Sequence, residues 1–120
     1  MREPPAQEGS GSVRGVSVAV PIPELADALA EFTWCYVVTV GAESRAHLVA
    51  VTPRLECDAL VAEVGRSTIA NATEHPEVVL VFPPLDHAAM SLIVDATFVS
   101  ADPFTLRPTK ATLHRPAPRP

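Results

Sequence analysis

The segment Val64–Leu80 reads VGRSTIANATEHPEVVL and joins two apolar runs through a polar turn and a short helical pattern. The first run gives way to Arg66, Ser67 and Thr68, and a proline precedes the second run. This order predicts a strand, a turn, a helix over about 67–75 and another strand. Hydroxyls and a guanidinium thus stand at a helix start, where unpaired backbone N–H groups and the helix dipole favour an anion such as a phosphate.

A second interpretation of this turn needs no ligand. The hydroxyl of Ser67 would serve equally as a helix N-cap, accepting a hydrogen bond from a backbone N–H two or three residues on. Arg66 would then be a solvated turn residue. Asn71, farther along the helix, is expected to be structural, with its amide bonded to a neighbouring loop. The sequence leaves capping and ligand binding open.

Length, composition and charge limit the class of protein. The chain has 120 residues, of which 48% are apolar and 19% charged, as expected for one globular domain. No apolar run reaches the roughly 20 residues of a membrane helix, and no secretory signal is apparent, which predicts a soluble cytoplasmic protein without a membrane partner. The net charge is −5, with twelve acidic and five basic residues between Val16 and His114. An acidic body disfavours nucleic acid, whereas locally focused arginines still permit a small anionic ligand.

The remaining reactive residue types form no recognisable site. The four histidines and two cysteines have no metal-ligand spacing, so no metal site is predicted. Cys35 is expected to be a reduced core residue and Cys57 a loop thiol, with a disulfide between them left open. Asp95 interrupts the apolar run SLIVDATFVS, and a buried carboxylate needs a partner. An ion pair with Arg54, Arg66 or Arg107 is expected. No nucleophile or phosphate-loop motif identifies a catalytic residue.

The periodicity predicts a mainly β domain over residues 20–115, between a flexible N-terminal tail (1–19) and a C-terminal tail (116–120). Pro23–Phe32 has the pattern of an amphipathic helix. The predicted strands are Trp34–Val40, Ala46–Leu55 with a break or bend at Pro53, Leu60–Val64, Val78–Phe82, Met90–Ser100 and Thr109–His114. Six strands joined mostly by tight turns, with two short helices, predict an antiparallel barrel.

From Pro23 to Pro116 the chain resembles the pyridoxamine 5′-phosphate oxidase-like, flavin-binding split-barrel superfamily, and most closely its short actinobacterial branch. The segments that carry the resemblance are PELADALAEF, YVVTVGAESRAHLVAVTPR, GRSTIANATEHPEVVLVFPP, SLIVDATFVS and TKATLHRPAP. The resemblance implies a six-stranded split barrel and a homodimer with the cofactor at its interface. That cofactor is usually FMN; in related branches it is the deazaflavin coenzyme or haem, and some members carry none.

The resemblance also implies site residues. The positions that match the phosphate ligands of the family are Arg54, Arg66, Ser67 and Thr68. Relatives often have a lysine where Thr68 stands, so Arg66 would have to supply that contact through its bidentate guanidinium.

Other positions match the surroundings of the cofactor. Val49, Ala50 and Val51 match the strand whose backbone lies beside the isoalloxazine ring. His114 and Arg115 lie where the C-termini of relatives approach the pocket. Relatives commonly have glycine at the position of Asp95.

The function implied by the resemblance is that of an FMN- or deazaflavin-dependent oxidoreductase, in which the cofactor performs the hydride transfer. Two alternatives stay open: a cofactor- or ligand-binding protein without turnover, and a structural dimer that has lost the site.

Overall fold

A computed structural model describes residues 15–86 and 89–118 of the chain. The strands are β1 (Val16–Val20), β2 (Cys35–Val40), β3 (Ala46–Val51), β4 (Arg54–Glu56), β5 (Ala59–Ala62), β6 (Glu77–Phe82), β7 (Ser91–Ala101) and β8 (Phe104–Arg115). The helices are α1 (Leu25–Leu29) and α2 (Arg66–Glu74), and short 3₁₀ turns cover Ile22–Glu24 and Ala42–Ser44.

All of these strands belong to one antiparallel sheet with the order β3-β2-β6-β7-β8-β5-β4, and β1 pairs with β8. The two end strands, β3 and β4, are consecutive in the chain and are linked by Thr52 and Pro53 alone. Since so short a link spans at most about 11 Å between Val51 and Arg54, the sheet must curl until its two edges approach each other. The predicted antiparallel split barrel is confirmed.

The structure corrects the number and the bounds of the strands. The break predicted at Pro53, which lacks a backbone N–H for continuous pairing, is confirmed, and it divides the strand expected over Ala46–Leu55 into β3 and β4. Residues 16–19, expected in the N-terminal tail, lie in β1 instead. The last strand begins at Phe104 rather than at Thr109. Residues 1–14 and 119–120 of the expected tails lie outside the described residues.

The core lies on the inner face of the curled sheet. In β6, Val78, Leu80 and Phe82 are buried while the alternate residues face the other side, as the period of a strand requires. Leu25 of α1 and Ala72 of α2 are also buried, so both helices cover this inner face. The apolar stripe predicted for the first helix therefore serves to close the core, although the α-helical part is short.

The outer face of the sheet retains exposed apolar side chains. Tyr36 is 40% exposed and Leu48 is 55% exposed. In the strand register Val38 lies opposite Leu48 and beside Val79, so the apolar residues of β2, β3 and β6 form one continuous patch. We call this patch the outer apolar face; a single copy of the chain leaves it in contact with water.

Both cysteines are free thiols, which rules out the disulfide that the sequence left open. Cys35 is buried in β2, as predicted, and burial raises the pKa of its thiol from 9.0 to about 12. Cys57 is exposed in the turn between β4 and β5. In the described part of the chain, no helix has the length and apolar character needed to cross a membrane.

Candidate functional site

The start of α2 is open and lacks a capping side chain. Its N-cap residue is Gly65, and the first intrahelical bond runs from the N–H of Ile69 to the carbonyl of Gly65 at 3.3 Å. No side chain caps this end, and the first turn has no acidic residue. A Cβ atom built on Gly65 would meet no atom within 4 Å, so space is open beside the helix start. The N–H groups of Arg66, Ser67 and Thr68 therefore remain available to an anion.

The three side chains at this helix start point in different directions. Arg66 and Ser67 are exposed, whereas Thr68 is 2% exposed. Thr68 is buried because it shares the inward side of α2 with Ala72, four residues later. Its side chain packs in the core, so the structure does not support Thr68 as a side-chain phosphate ligand. The N-cap interpretation of Ser67 is wrong, since Ser67 is the second residue of the helix and Gly65 occupies the cap position.

Arg54 forms an ion pair with a neighbouring carboxylate. Its Nε donates a hydrogen bond to the carboxylate of Glu56, two residues along the same strand, and both side chains are largely exposed. Arg54 also lines a cavity of about 470 Å³ together with Glu63 and Asp102. The Glu56 carboxylate competes with an incoming phosphate for this guanidinium, and Glu63 and Asp102 add negative charge to the lining of the same cavity. Arg54 is therefore the less suitable of the two arginines assigned to the phosphate.

Strand β3 offers a free backbone edge. It lies at one end of the sheet and pairs with β2 alone, so half of its N–H and C=O groups have no strand partner within the described residues. Val49 and Val51 are half-buried on the inner side, and Ala50 is exposed on the outer side. Free backbone groups between small apolar side chains suit the edge of a planar heterocycle, as the resemblance implies for these three residues.

His114 lies apart from the start of α2. Its Nδ1 is 3.0 Å from the hydroxyl of Ser17 in β1, and it lines a shallow cavity of about 250 Å³ on the outer side of β7 and β8. None of the α2 residues lines that cavity. Arg115 is exposed at the end of β8. A single copy of the chain thus does not bring His114 to the helix start.

Asp95 does not form the expected ion pair. Arg54, Arg66 and Arg107 are all described by the structure, and none of them pairs with it. Asp95 is half-buried on the outer side of β7, where its cross-strand neighbour is Lys110 of β8. The expectation failed because the alternation of β7 turns Asp95 away from the core, where a buried partner would be required. Within the described residues, no group of three potential metal ligands lies together.

A polar contact that fixes α2 against the sheet was predicted only in part. The Nδ2 of Asn71 donates a hydrogen bond to the Oγ1 of Thr39 at 3.1 Å. Asn71 is structural as expected, but its partner is a residue of β2 rather than of a loop. The same amide packs on Gly41, where a Cβ atom would come within 3.2 Å of Oδ1.

The signal for this contact is the position of Thr39 in the alternation CYVVTV. Thr39 faces inward with Cys35 and Val37 and is fully buried. A buried hydroxyl requires a hydrogen-bond partner. His47 lies opposite Thr39 in the register, and its Nδ1 is buried without a hydrogen-bond partner among the described residues.

Comparison with solved structures identifies proteins of similar fold. An F420 reductase superposes with a TM-score of 0.54 and 13% identity, covering 78% of this chain and 93% of its own. A FAD-binding protein from Mesorhizobium loti gives a TM-score of 0.60 at 10% identity, covering 88% of this chain and 99% of its own. A proposed pyridoxamine 5′-phosphate oxidase from Corynebacterium glutamicum gives 0.53 at 13% identity and covers 92% of both chains. At these identities the likeness shows the fold alone.

Comparison of sequences identifies closer relatives. Uncharacterised proteins of Mycobacterium bovis and Mycobacterium tuberculosis are each 34% identical to this chain over 116 residues, and the match covers 82% of this chain and 82% of each relative. No protein-family model matches the chain.

Proposed function

We propose that this chain, which has the split-barrel fold of its structural neighbours, is a member of the pyridoxamine 5′-phosphate oxidase-like superfamily, binds a flavin-type cofactor, FMN or the deazaflavin coenzyme, and acts as an oxidoreductase. The names of two structural neighbours, an F420 reductase and a FAD-binding protein, support a cofactor of this class.

The observation that carries the proposal is the uncapped, open start of α2. Three backbone N–H groups lie there beside unfilled space, and Arg66 and Ser67 are exposed residues of the same first turn. A phosphate monoester brings about two negative charges and strong acceptor oxygens, which these donors complement. The donor set therefore fits the phosphate end of such a cofactor, with Arg66 in place of the lysine frequent in relatives.

The rest of the cofactor would lie along β3. The free backbone edge at Val49–Val51 would hold the polar rim of the ring system, and the neighbouring apolar side chains would exclude water from it. When bound, a flavin or deazaflavin supplies the hydride transfer, while the protein supplies binding, orientation and electrostatics.

The proposal includes a homodimer. The outer apolar face, which includes Tyr36 and Leu48, is exposed in one copy and would be covered by a second copy. In the family the cofactor lies at such an interface, so residues of the second copy would complete the site. His114, which lies on the outer side of the sheet, would then belong to the site through the dimer rather than through its own copy.

A second candidate function is cofactor or ligand binding without turnover. The ion pair between Arg54 and Glu56 and the burial of Thr68 favour it, since both reduce the number of side chains that hold a phosphate.

Cofactor binding is tested on the full-length purified protein. Its visible spectrum distinguishes flavin, deazaflavin and haem, and each is then added in a thermal-shift titration. Ligand at about 100 times its Kd stabilises the folded state by about 2.7 kcal/mol, so FMN or the deazaflavin coenzyme is expected to raise the melting temperature by several degrees. If none of these cofactors raises it, the proposal is wrong.

Two further measurements separate the candidates. Reduction of the bound cofactor by a nicotinamide or by reduced deazaflavin, followed by reoxidation, supports the oxidoreductase, whereas binding without reduction supports the binding protein. Arg66→Ala should weaken the phosphate-bearing cofactor about tenfold or more, since it removes a charge-assisted contact. Arg45→Ala, which removes an exposed arginine near the loop between β2 and β3, is the matched control and should have no effect.

A further inference from the structure

A second cavity lies apart from the proposed cofactor site, between α1 and the turn that joins β4 to β5. Its volume is about 430 Å³, within the range of small-molecule sites. It is lined by residues of the 3₁₀ turn Ile22–Glu24, the start of α1, β4, the β4–β5 turn and β8. Neither Arg66 nor Ser67 lines it. Its occupant would therefore bind independently of the cofactor.

The cavity lies at a gap in the sheet. Along one edge β8 pairs with β5 at Phe104–Leu106 and with β1 at Ala111–Arg115. The intervening residues 107–110 have no strand partner on that edge within the described part of the chain. The 3₁₀ turn Ile22–Glu24 and the start of α1 lie beside this gap, and the cavity lies between the part of β8 that pairs with β5 and the part that pairs with β1.

The cavity combines an apolar floor with two opposite charges. The floor comes from Ile22, Leu25 and Leu55. Asp58, at the β4–β5 turn, and Arg107, on β8, both line the cavity. Both residues are exposed, and no ion pair joins them to each other or to another described residue. Each charge is therefore available to a ligand.

The β4–β5 turn is held in an unusual conformation. Cys57, which precedes Asp58, has a φ of 56°, in the left-handed region that residues other than glycine rarely adopt. The turn joins strands in the register Glu56↔Ala59, so Cys57 and Asp58 are its two central residues. The pairing of β4 with β5 therefore fixes Asp58 at the rim of the cavity, opposite β8.

We propose that this cavity binds a small zwitterion with an apolar body, of the size and chemistry of an apolar amino acid. The carboxylate of the ligand would pair with Arg107 and its ammonium group with Asp58, and the apolar body would cover Ile22, Leu25 and Leu55. A ligand with a single charge would leave either Asp58 or Arg107 without its partner. The site is separate from the proposed cofactor site and goes beyond the proposed function.

The test is an NMR titration of the full-length ¹⁵N-labelled protein with phenylalanine, 2-phenylethylamine and 3-phenylpropanoate, which share the same ring. Phenylalanine is expected to shift the amide resonances of Leu25, Cys57, Asp58 and Arg107, and to bind about tenfold more tightly than either singly charged probe. The proposal is overturned if phenylalanine at roughly 10 mM, enough to detect a Kd of millimolar order, leaves these resonances unchanged. Equal affinity for the three probes also overturns it.

Two charge variants assign the contacts. Arg107→Gln should reduce the affinity for phenylalanine to that of 2-phenylethylamine, and Asp58→Asn should reduce it to that of 3-phenylpropanoate. Both positions are exposed, so unchanged resonances elsewhere will show that the fold is retained. Arg115→Gln, at another exposed arginine of β8, is the matched control. If it lowers the affinity as much as Arg107→Gln does, binding depends on overall charge and the site is refuted.

Discussion

The hydrogen bond between Asn71 and Thr39 holds α2, and with it the proposed phosphate site, against the sheet. Thr39 is 0% exposed, and Asn71 is its hydrogen-bond partner among the described residues. Asn71→Ala leaves the buried hydroxyl without a partner, which costs about 1–3 kcal/mol. Thr39→Val replaces that hydroxyl by a methyl group, and the half-buried Asn71 amide can still reach water. The second variant should therefore lose less, about 0.5–1.5 kcal/mol.

The double variant Thr39→Val/Asn71→Ala tests whether the two residues act through each other. It contains no buried hydroxyl without a partner, so its loss should fall short of the sum of the single losses by about 1 kcal/mol. Thr73→Ala, on the exposed side of the same helix, is the control and should change the free energy of unfolding by less than about 0.5 kcal/mol.

The assay is urea unfolding followed by the fluorescence of Trp34, the single tryptophan. Trp34 contacts Tyr36 edge-on at a centroid distance of 4.9 Å, so unfolding will change its surroundings. Unchanged stability of Asn71→Ala, or additive losses in the double variant, would refute the role given to this hydrogen bond.

Four more predictions concern the core, the thiols and the helix start. Leu80→Ala, at a fully buried position, should lower the free energy of unfolding in urea by about 2–5 kcal/mol. Leu48→Ala, at a position 55% exposed, should lower it far less. Similar losses in the two variants would contradict the assignment of the core. A thiol reagent at neutral pH should modify Cys57 alone in the folded protein, and modification of Cys35 without unfolding would contradict its burial. Folding raises the pKa of the Cys35 thiol from 9.0 to about 12. The stability that the protonated Cys35 contributes is therefore complete below pH 9 and should be lost as the pH rises toward 12. A comparison of the free energy of unfolding with that of Cys35→Ala over this range measures the loss. Gly65→Asp adds a capping carboxylate in open space at φ −86°, so it should stabilise the protein by a few tenths of a kcal/mol. The added negative charge should lower the affinity for phosphate-bearing cofactors. Tighter cofactor binding would contradict the proposed site.

The sequence predicted the elements whose periodicity is strong and local. The helix over 67–75 is found at Arg66–Glu74, and the apolar run at 78–82 lies within β6, where alternate residues are buried. Pairing partners distant in sequence were harder to predict. Val16–Val20 becomes a strand only because β8 extends far enough to pair with it. No local pattern in residues 16–20 predicts that pairing.

The candidate site was predictable to the extent that it depends on the helix start. The order of Arg66 and Ser67 after a glycine was sufficient to place donors at the N-terminus of α2. The burial of Thr68 depends on which side of α2 faces the sheet, and the ion pair of Arg54 depends on the bounds of β4. Both follow from tertiary structure, which residue types and spacing do not determine.

The measurement that tests the central claim most directly is the ratio of the affinities for FMN and riboflavin, which differ only in the phosphate. If the start of α2 holds that phosphate, FMN should bind about tenfold or more tightly than riboflavin, and Arg66→Ala should abolish most of the difference. Equal affinity for the two flavins, or a preference for FMN that Arg66→Ala leaves intact, would contradict the account.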